Sequence, residues 1–543
     1  MLAAVPLLLA AAAFPPGWVP VPANEETAVG DGLLSLAFVL RLSQSALQEL
    51  ERTFDEVSDP AHERYGKHLS KDQLDAMLAS EETVACQNGV EAWLRGSMAP
   101  TSVLRMGGDG LHVTAAHADV ERAFGLPTLR AFRRGTGGPV AYRSDATTLQ
   151  MPANIEACVD VVSGVLSSEL PELPNVQTAV TAGGEKATTW PAVLAKMYGL
   201  PATVPNATGS RQATANFIGQ YYAKSDLDTM FAKYAPGLVG HTTLPLVGPG
   251  INDQSDPGSE ASLDLQYIMP AATESVPTEF WSAQKSEQLF PWIQRVNAAT
   301  SPPQVHSVSY GGMESAGQAA YLTRFNVELM KAGARGISVM VSAGDGGVGC
   351  SRDGKSYTPN YPASFPAITT VGGTTNPAAE TVWKQGGGGF SNVFPRPKWQ
   401  ARAVESYLTS SAGASLPPPS FFNASGRGYP DVTAMSTGFV VYQGGASSLR
   451  PLARYMLLPT PRIMNALCLH LVANAGASVA MRQTCGVQAR SQLQTEPPPP
   501  PRFSLASSRA STPRASRRAS PSSAFSTRGC TRSAEPLPSP TSS

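Results

Sequence analysis

The sequence predicts an α/β fold: a parallel-sheet domain, preceded by a smaller α+β unit and followed by a disordered C-terminal tail. Three observations carry this. Beyond residue 190, helical stretches alternate with short apolar runs at 305–310, 337–342 and 368–371, the order that builds a parallel sheet covered by helices. Between 33 and 165 a second set of strands and helices stands apart, joined to the first by a polar, Gly- and Pro-bearing stretch. After Asp431 the composition breaks: no Asp follows it, no Lys follows Lys398, and from Glu496 a run of prolines leads into a Ser/Arg/Ala/Pro-biased end. Such a segment cannot bury enough apolar surface to fold.

At 543 residues and 42% hydrophobic content the chain can build a sizeable core, and its length allows roughly three to four domains. Lys plus Arg and Asp plus Glu balance at 41 each, which argues against a nucleic-acid partner or an anionic membrane surface. The six cysteines hold no CxxC, so neither a zinc site nor a disulfide framework is expected. Residues 1–14 are almost wholly apolar and end at Pro15-Pro16-Gly17, which suits a secretory signal, placed at 1–22, and is too short to span a bilayer. No later run reaches the ~18 apolar residues of a membrane helix. Asn206-Ala207-Thr208 and Asn423-Ala424-Ser425 are glycosylation sequons. A secreted or lysosomal/vacuolar protein with no membrane span is the reading.

In order along the chain, residues 34–40 alternate as a strand, and 43–57 form a helix capped by Ser43 and stopped by Asp59-Pro60. Helices follow at Lys71–Leu78 and 84–95. Residues 103–106 and 111–114 make a hairpin around Gly107-Gly108-Asp109-Gly110. A helix at 118–124 and an extended segment at 139–142 complete a unit bounded at 30–168. The stretch 169–189 has the composition of an exposed, nickable linker, so the unit reads as a propeptide or as an ordinary first domain. In the domain at 190–445, helices at Pro191–Tyr198, 225–234, 260–268, 291–299 and 318–332 interleave with the three strands, and 392–397 is irregular. Residues 446–543 are low-complexity. Their lysine-free, arginine-rich composition is what GC-rich DNA gives when read out of frame or through an unspliced intron.

Two stretches offer chemistry. Glu260 and Asp264 fall one turn apart on one helix face. Exposed, they are a solvated acidic patch; buried, they must share a proton, as a carboxyl general base does. Asp345 follows the strand at 337–342 within a Gly-rich run, at the sheet end where α/β folds bind ligands; a tight turn is the plainer alternative. Gly344 to Gly349 spells GxGxxG without opening a helix, so a dinucleotide site is excluded, as are a phosphate loop, HExxH and a Gly-x-Ser-x-Gly elbow.

Six stretches then fall in an order that resembles the sedolisin (serine-carboxyl peptidase) family. They are Glu260-Ala261-Ser262-Leu263-Asp264, His306-Ser307-Val308-Ser309-Tyr310-Gly311, Ser342-Ala343-Gly344-Asp345-Gly346, Thr370-Val371-Gly372-Gly373-Thr374, Gly387 to Pro397, and Gly428-Tyr429-Pro430-Asp431-Val432. Val57-Ser58-Asp59-Pro60 and Tyr65-Gly66-Lys67-His68-Leu69-Ser70 resemble the family's activation propeptide. The resemblance covers residues 30 to 445. It implies a subtilisin-like catalytic domain made as a zymogen, with Glu260 as general base for a serine, Asp264 tuning it, and Asp345 serving the oxyanion hole while protonated. It implies peptide or unfolded-protein substrates, with tripeptides released from free N-termini in one branch, and the propeptide as partner.

The departures are as informative. The family's nucleophile lies in Ser-Gly-Thr-Ser-Ala-x-x-Pro, which this sequence lacks; the echoes at 445–451, with Ser447, and at 509–513, with Arg509 where the nucleophile would sit, are faint, so the nucleophile is unknown. Calcium is expected from the family, but its ligand region, built around Asp-Pro-x-Thr-Gly, is absent, and no metal ligands are assigned. Cys350 resembles a cysteine that pairs with one in that region, so it is expected to be unpaired. A catalytically dead peptide-binding or inhibitory homologue is the alternative function, and an extracellular structural protein a distant third.

Overall fold

The computed structural model describes residues 18–22, 32–134, 140–146, 148–166, 189–201, 209–283, 289–351, 354–410, 413 and 416–444. The linker, Asn206, the tail and most of the leader lie outside these.

The N-terminal unit is a four-stranded antiparallel sheet in the order Ser102–Arg105, Gly110–Ala116, Leu33–Leu40, Val159–Ser163. Strand residues alternate faces. Leu34, Leu36, Phe38 and Leu40 point into a core with helices Glu81–Met98 and His117–Phe124, whereas Val39 and Val161 join the core of the C-terminal unit. The expected helices form. Gln44–Ser58 is capped by Ser43, whose hydroxyl accepts from the Ala46 amide, and Lys71–Leu78 starts with a Ser70/Gln73 capping box. Trp18–Pro20, assigned to the leader from sequence, pairs with Arg130–Arg134, and Trp18 packs on Phe132 and Ala141.

The C-terminal unit is built on a seven-stranded sheet, parallel except at one edge. Its path runs Thr381–Val382, Thr369–Thr375, Ser338–Ser342, Val305–Val308, Gln212–Asn216, Thr278–Ser282, with Val432–Met435 also parallel to Thr369–Thr375. Val339 and Val341 face one core with helices Leu289–Ala298 and Ala319–Ala334. Met340 faces a second core with helices Lys224–Tyr234 and Ser259–Ala272. The N-terminal unit docks on the first face, where Ala46, Leu50, Leu74 and Leu78 pack against Val327, Met330 and Ala334.

Three expectations need correction. Residues 392–397 are not irregular: Gly389–Pro395 is a bulged strand paired with Gly426–Tyr429. Its shape comes from buried Glu314, whose carboxylate accepts from the Ser391 hydroxyl (2.6 Å) and the Asn392 amide (2.8 Å). Disulfides are present. Cys86 and Cys158 are joined, tying helix Glu81–Met98 to the start of strand Val159–Ser163, and Cys350 is disulfide-bonded rather than unpaired. The strands Gln212–Asn216 and Thr278–Ser282 were not foreseen, although both are buried throughout.

Candidate active site

Glu260 and Asp264 lie on helix Ser259–Ala272, which follows strand Gln212–Asn216 and precedes the adjacent parallel strand Thr278–Ser282. That crossover places the helix N-terminus at the carboxyl edge of the sheet. Gly258 supplies no side-chain cap, so the first turn borrows one: Gln220 Oε1, from the turn after Gln212–Asn216, accepts the Glu260 amide at 3.0 Å. A Cβ at 258 would lie 2.1 Å from that oxygen, so any larger residue there would push the Gln220 side chain out of this bond.

The helix is not a surface helix. Glu260 is 3% and Asp264 6% exposed. The Ser309 hydroxyl, just beyond strand Val305–Val308, donates to Asp264 Oδ1 at 3.1 Å, while Oδ2 has no hydrogen-bond partner among the described residues. Burial pushes the Asp264 carboxyl up to about 7, against the smaller opposing effect of the Ser309 bond. Tyr310 is raised by its own burial and then by the charge of Asp264.

Asp345 stands beyond the carboxyl end of Ser338–Ser342, the strand paired in parallel with Val305–Val308. The three acids therefore share one edge of the sheet, on adjacent elements. Asp345 is 9% exposed, and burial holds its carboxyl well above the ordinary range. Its turn is braced from behind. Gly344 adopts φ +105°, its carbonyl accepts from the Gly387 amide (2.7 Å), and Asn360 Nδ2 donates to the Ala343 carbonyl (3.0 Å). The Asn360 amide in turn donates to the Tyr429 hydroxyl (2.8 Å), so three of the six motifs meet around Asp345. The Gly-rich run after it opens a small ribbon, Gly349–Cys350 with Tyr357–Thr358, and no helix.

Sequence reasoning missed Gln220, Asn360, Glu314 and Gln266, since nothing local marks them. Gln266 holds the main chain of Tyr442 at both ends: its Nε2 donates to the Tyr442 carbonyl (2.6 Å) and its Oε1 accepts the Tyr442 amide (2.9 Å). Asn423 Nδ2 donates to the Ser391 carbonyl at 2.9 Å. Among the described residues no group of three or more His, Cys, Asp or Glu is arranged to hold a metal, and no helix is long and apolar enough to cross a membrane.

With this geometry in view, the comparisons with known proteins define the class. Residues 24–168 match the family described as Pro-kumamolisin, activation domain. The chain belongs to the sedolisin, or serine-carboxyl peptidase, family. Along most of its length it is similar to tripeptidyl-peptidase 1: 36% identical to the Bos taurus protein over 453 residues, covering 79% of this chain and 76% of the relative. It is 35% identical to the Homo sapiens protein over 450 residues, with the same coverage. A Pseudomonas sedolisin structure, complexed with two molecules of pseudo-iodotyrostatin, covers 57% of this chain and 87% of its own at 21% identity and a TM-score of 0.43.

Proposed function

We propose that the chain is the precursor of an acid serine-carboxyl peptidase, with Glu260 as general base, Asp264 as the partner that shares its proton, and Asp345 as the acid donating to the oxyanion. The observation that carries this is the burial of Glu260 and Asp264 one turn apart, with Asp264 lifted to about 7 and no cation offsetting it among the described residues. In acid Asp264 keeps its proton and can share it with Glu260, whose role in this reading is to take a proton from a hydroxyl. Asp345, kept neutral by burial, is a donor where negative charge develops.

Substrates would be peptides or unfolded proteins with free N-termini, losing tripeptides as the relatives' name states. The N-terminal unit would be the propeptide, cut within the linker at 169–189, and a leader, if removed, would end ahead of Trp18. The compartment would be secretory or lysosomal/vacuolar, with Asn206 and Asn423 as glycan acceptors. The second reading, a peptide-binding homologue without turnover, is favoured by one fact: the nucleophile motif is absent from all 543 residues. Incubation of the purified chain with a fluorogenic tripeptide substrate at acidic pH separates them. Turnover that falls at least ~1,000-fold in Glu260→Gln supports the peptidase; binding without cleavage supports the second reading. Transcript reads across residues 440–543 test whether this tail belongs to the gene's product.

A further inference from the structure

An aspartate in a hairpin turn is ordinarily a solvated cap. Asp109, in the Gly107–Gly110 turn, is 4% exposed and reaches out of its own unit. We propose that Asp109 is a plug holding the N-terminal unit in a socket of Arg324, Lys331 and Glu328 on the C-terminal unit, and that this hold persists in acid, so that acid by itself does not part the two. The proposal deepens the zymogen reading, but it stands on a contact between units and needs no turnover.

The socket is one face of helix Ala319–Ala334. Lys331 Nζ lies 2.5 Å from Asp109 Oδ2, and Arg324 bonds the same oxygen. Glu328 completes it, accepting from Arg324 Nη1 (2.9 Å) and Lys331 Nζ (2.7 Å), with Asn297 Nδ2 on its other oxygen (2.8 Å). Two cations thus meet two anions, and all four side chains are at most 6% exposed.

The tip is shaped for insertion. Leu40 donates its amide to the Asp109 carbonyl (2.8 Å), which fixes the turn on its own sheet. Gly110 leaves room for Gln294, since a Cβ there would lie 2.9 Å from Gln294 Nε2. Gln294 Oε1 meets His112 Nε2 at 3.0 Å. The other charged groups facing the network are Asp160, 3.6 Å from Arg324 Nε, and exposed Arg41, which pairs with Asp160 at 3.0 Å. From helix Leu289–Ala298 the neutral Asn297 bonds Glu328, and Gln294 meets His112 beside the turn.

The acid response follows from the cations. Burial opposes the Asp109 charge, yet Lys331 and Arg324 outweigh it and hold the carboxyl below its ordinary range. A depressed carboxyl contributes stability that is complete above the unfolded value, roughly 3.9, and is lost only as pH falls through the lower folded value. From neutral pH down to about 4 the plug stays charged.

The test is dissociation of the nicked full chain. A protease site is placed between residues 166 and 189 and cut near neutral pH, and the affinity of the two fragments is measured at about pH 7 and pH 4.5. Wild-type fragments should stay associated at both values. Asp109→Asn should weaken association by about 100-fold or more at both, because it strands buried charges. Lys331→Met, which alters the socket from the other unit, should do the same, and it serves if Asp109→Asn does not fold. Wild-type fragments that separate at pH 4.5 overturn the acid-resistant hold. Fragments of both variants that associate as tightly as wild type overturn the plug.

Discussion

Asp109, docked against the first face of the sheet, and Asp264, on the helix that packs on the second, are both buried, and their carboxyls shift in opposite directions. Asp109 and Glu328 are buried with Arg324 and Lys331, and the cations hold Asp109 below the usual carboxylate range. Asp264 is buried with no cation offsetting it among the described residues, and burial lifts it to about 7; burial raises the Asp345 carboxyl as well. A buried acid with paired cations has its charge fixed and serves as structure. A buried acid without them keeps a movable proton, which is what acid–base chemistry needs. Burial alone therefore does not distinguish a site from a strut; the neighbours do.

The comparison can be broken at several points. The largest effect should come from the paired set. Arg324→Met leaves Asp109 and Glu328 with one cation between them and should cost about 3–5 kcal/mol in urea unfolding. Asp264 should show itself through pH. Because the folded carboxyl of Asp264 is raised, its contribution is complete below about pH 4 and is lost as pH rises through about 7. Wild-type stability should fall across that window, and Asp264→Asn should flatten part of the slope. An unchanged slope would show that Asp264 ionises as freely folded as unfolded.

Smaller changes probe how the helix carrying Glu260 and Asp264 is held. Gly258→Ala drives a methyl into Gln220 and should cost about 1–3 kcal/mol. Gln266→Ala strands the main chain of Tyr442 and should cost about 1–3 kcal/mol, with the Asp264 pH slope kept. At the exposed extreme, Arg52→Ala breaks pairs with Glu49 and Glu56 on the outer helix and should leave the unfolding midpoint in place.

Much of this was legible. Lys71–Leu78 and Pro191–Tyr198 begin and end where local signals put them, and the hairpin around Gly107–Gly110 forms. The illegible parts take their meaning from distant neighbours. Gln212–Asn216 reads Gln-Ala-Thr-Ala-Asn, too polar for a core strand, yet Gln212 Nε2 is satisfied by the Ile268 carbonyl and Thr278 Oγ1. Cys86 and Cys158 are 72 residues apart, a pairing that spacing does not announce.

By itself the sequence determined the one-turn spacing of Glu260 and Asp264, the order of the six stretches around them and the family, because all three are carried by local pattern. Only the tertiary structure decided that this helix is buried, that Ser309 meets Asp264, and that a turn aspartate crosses into a socket more than 200 residues away. The physical reason is that a carboxyl's charge is set by what is packed within a few ångströms of it, and packing of that kind is decided by the fold and not by the chain's order.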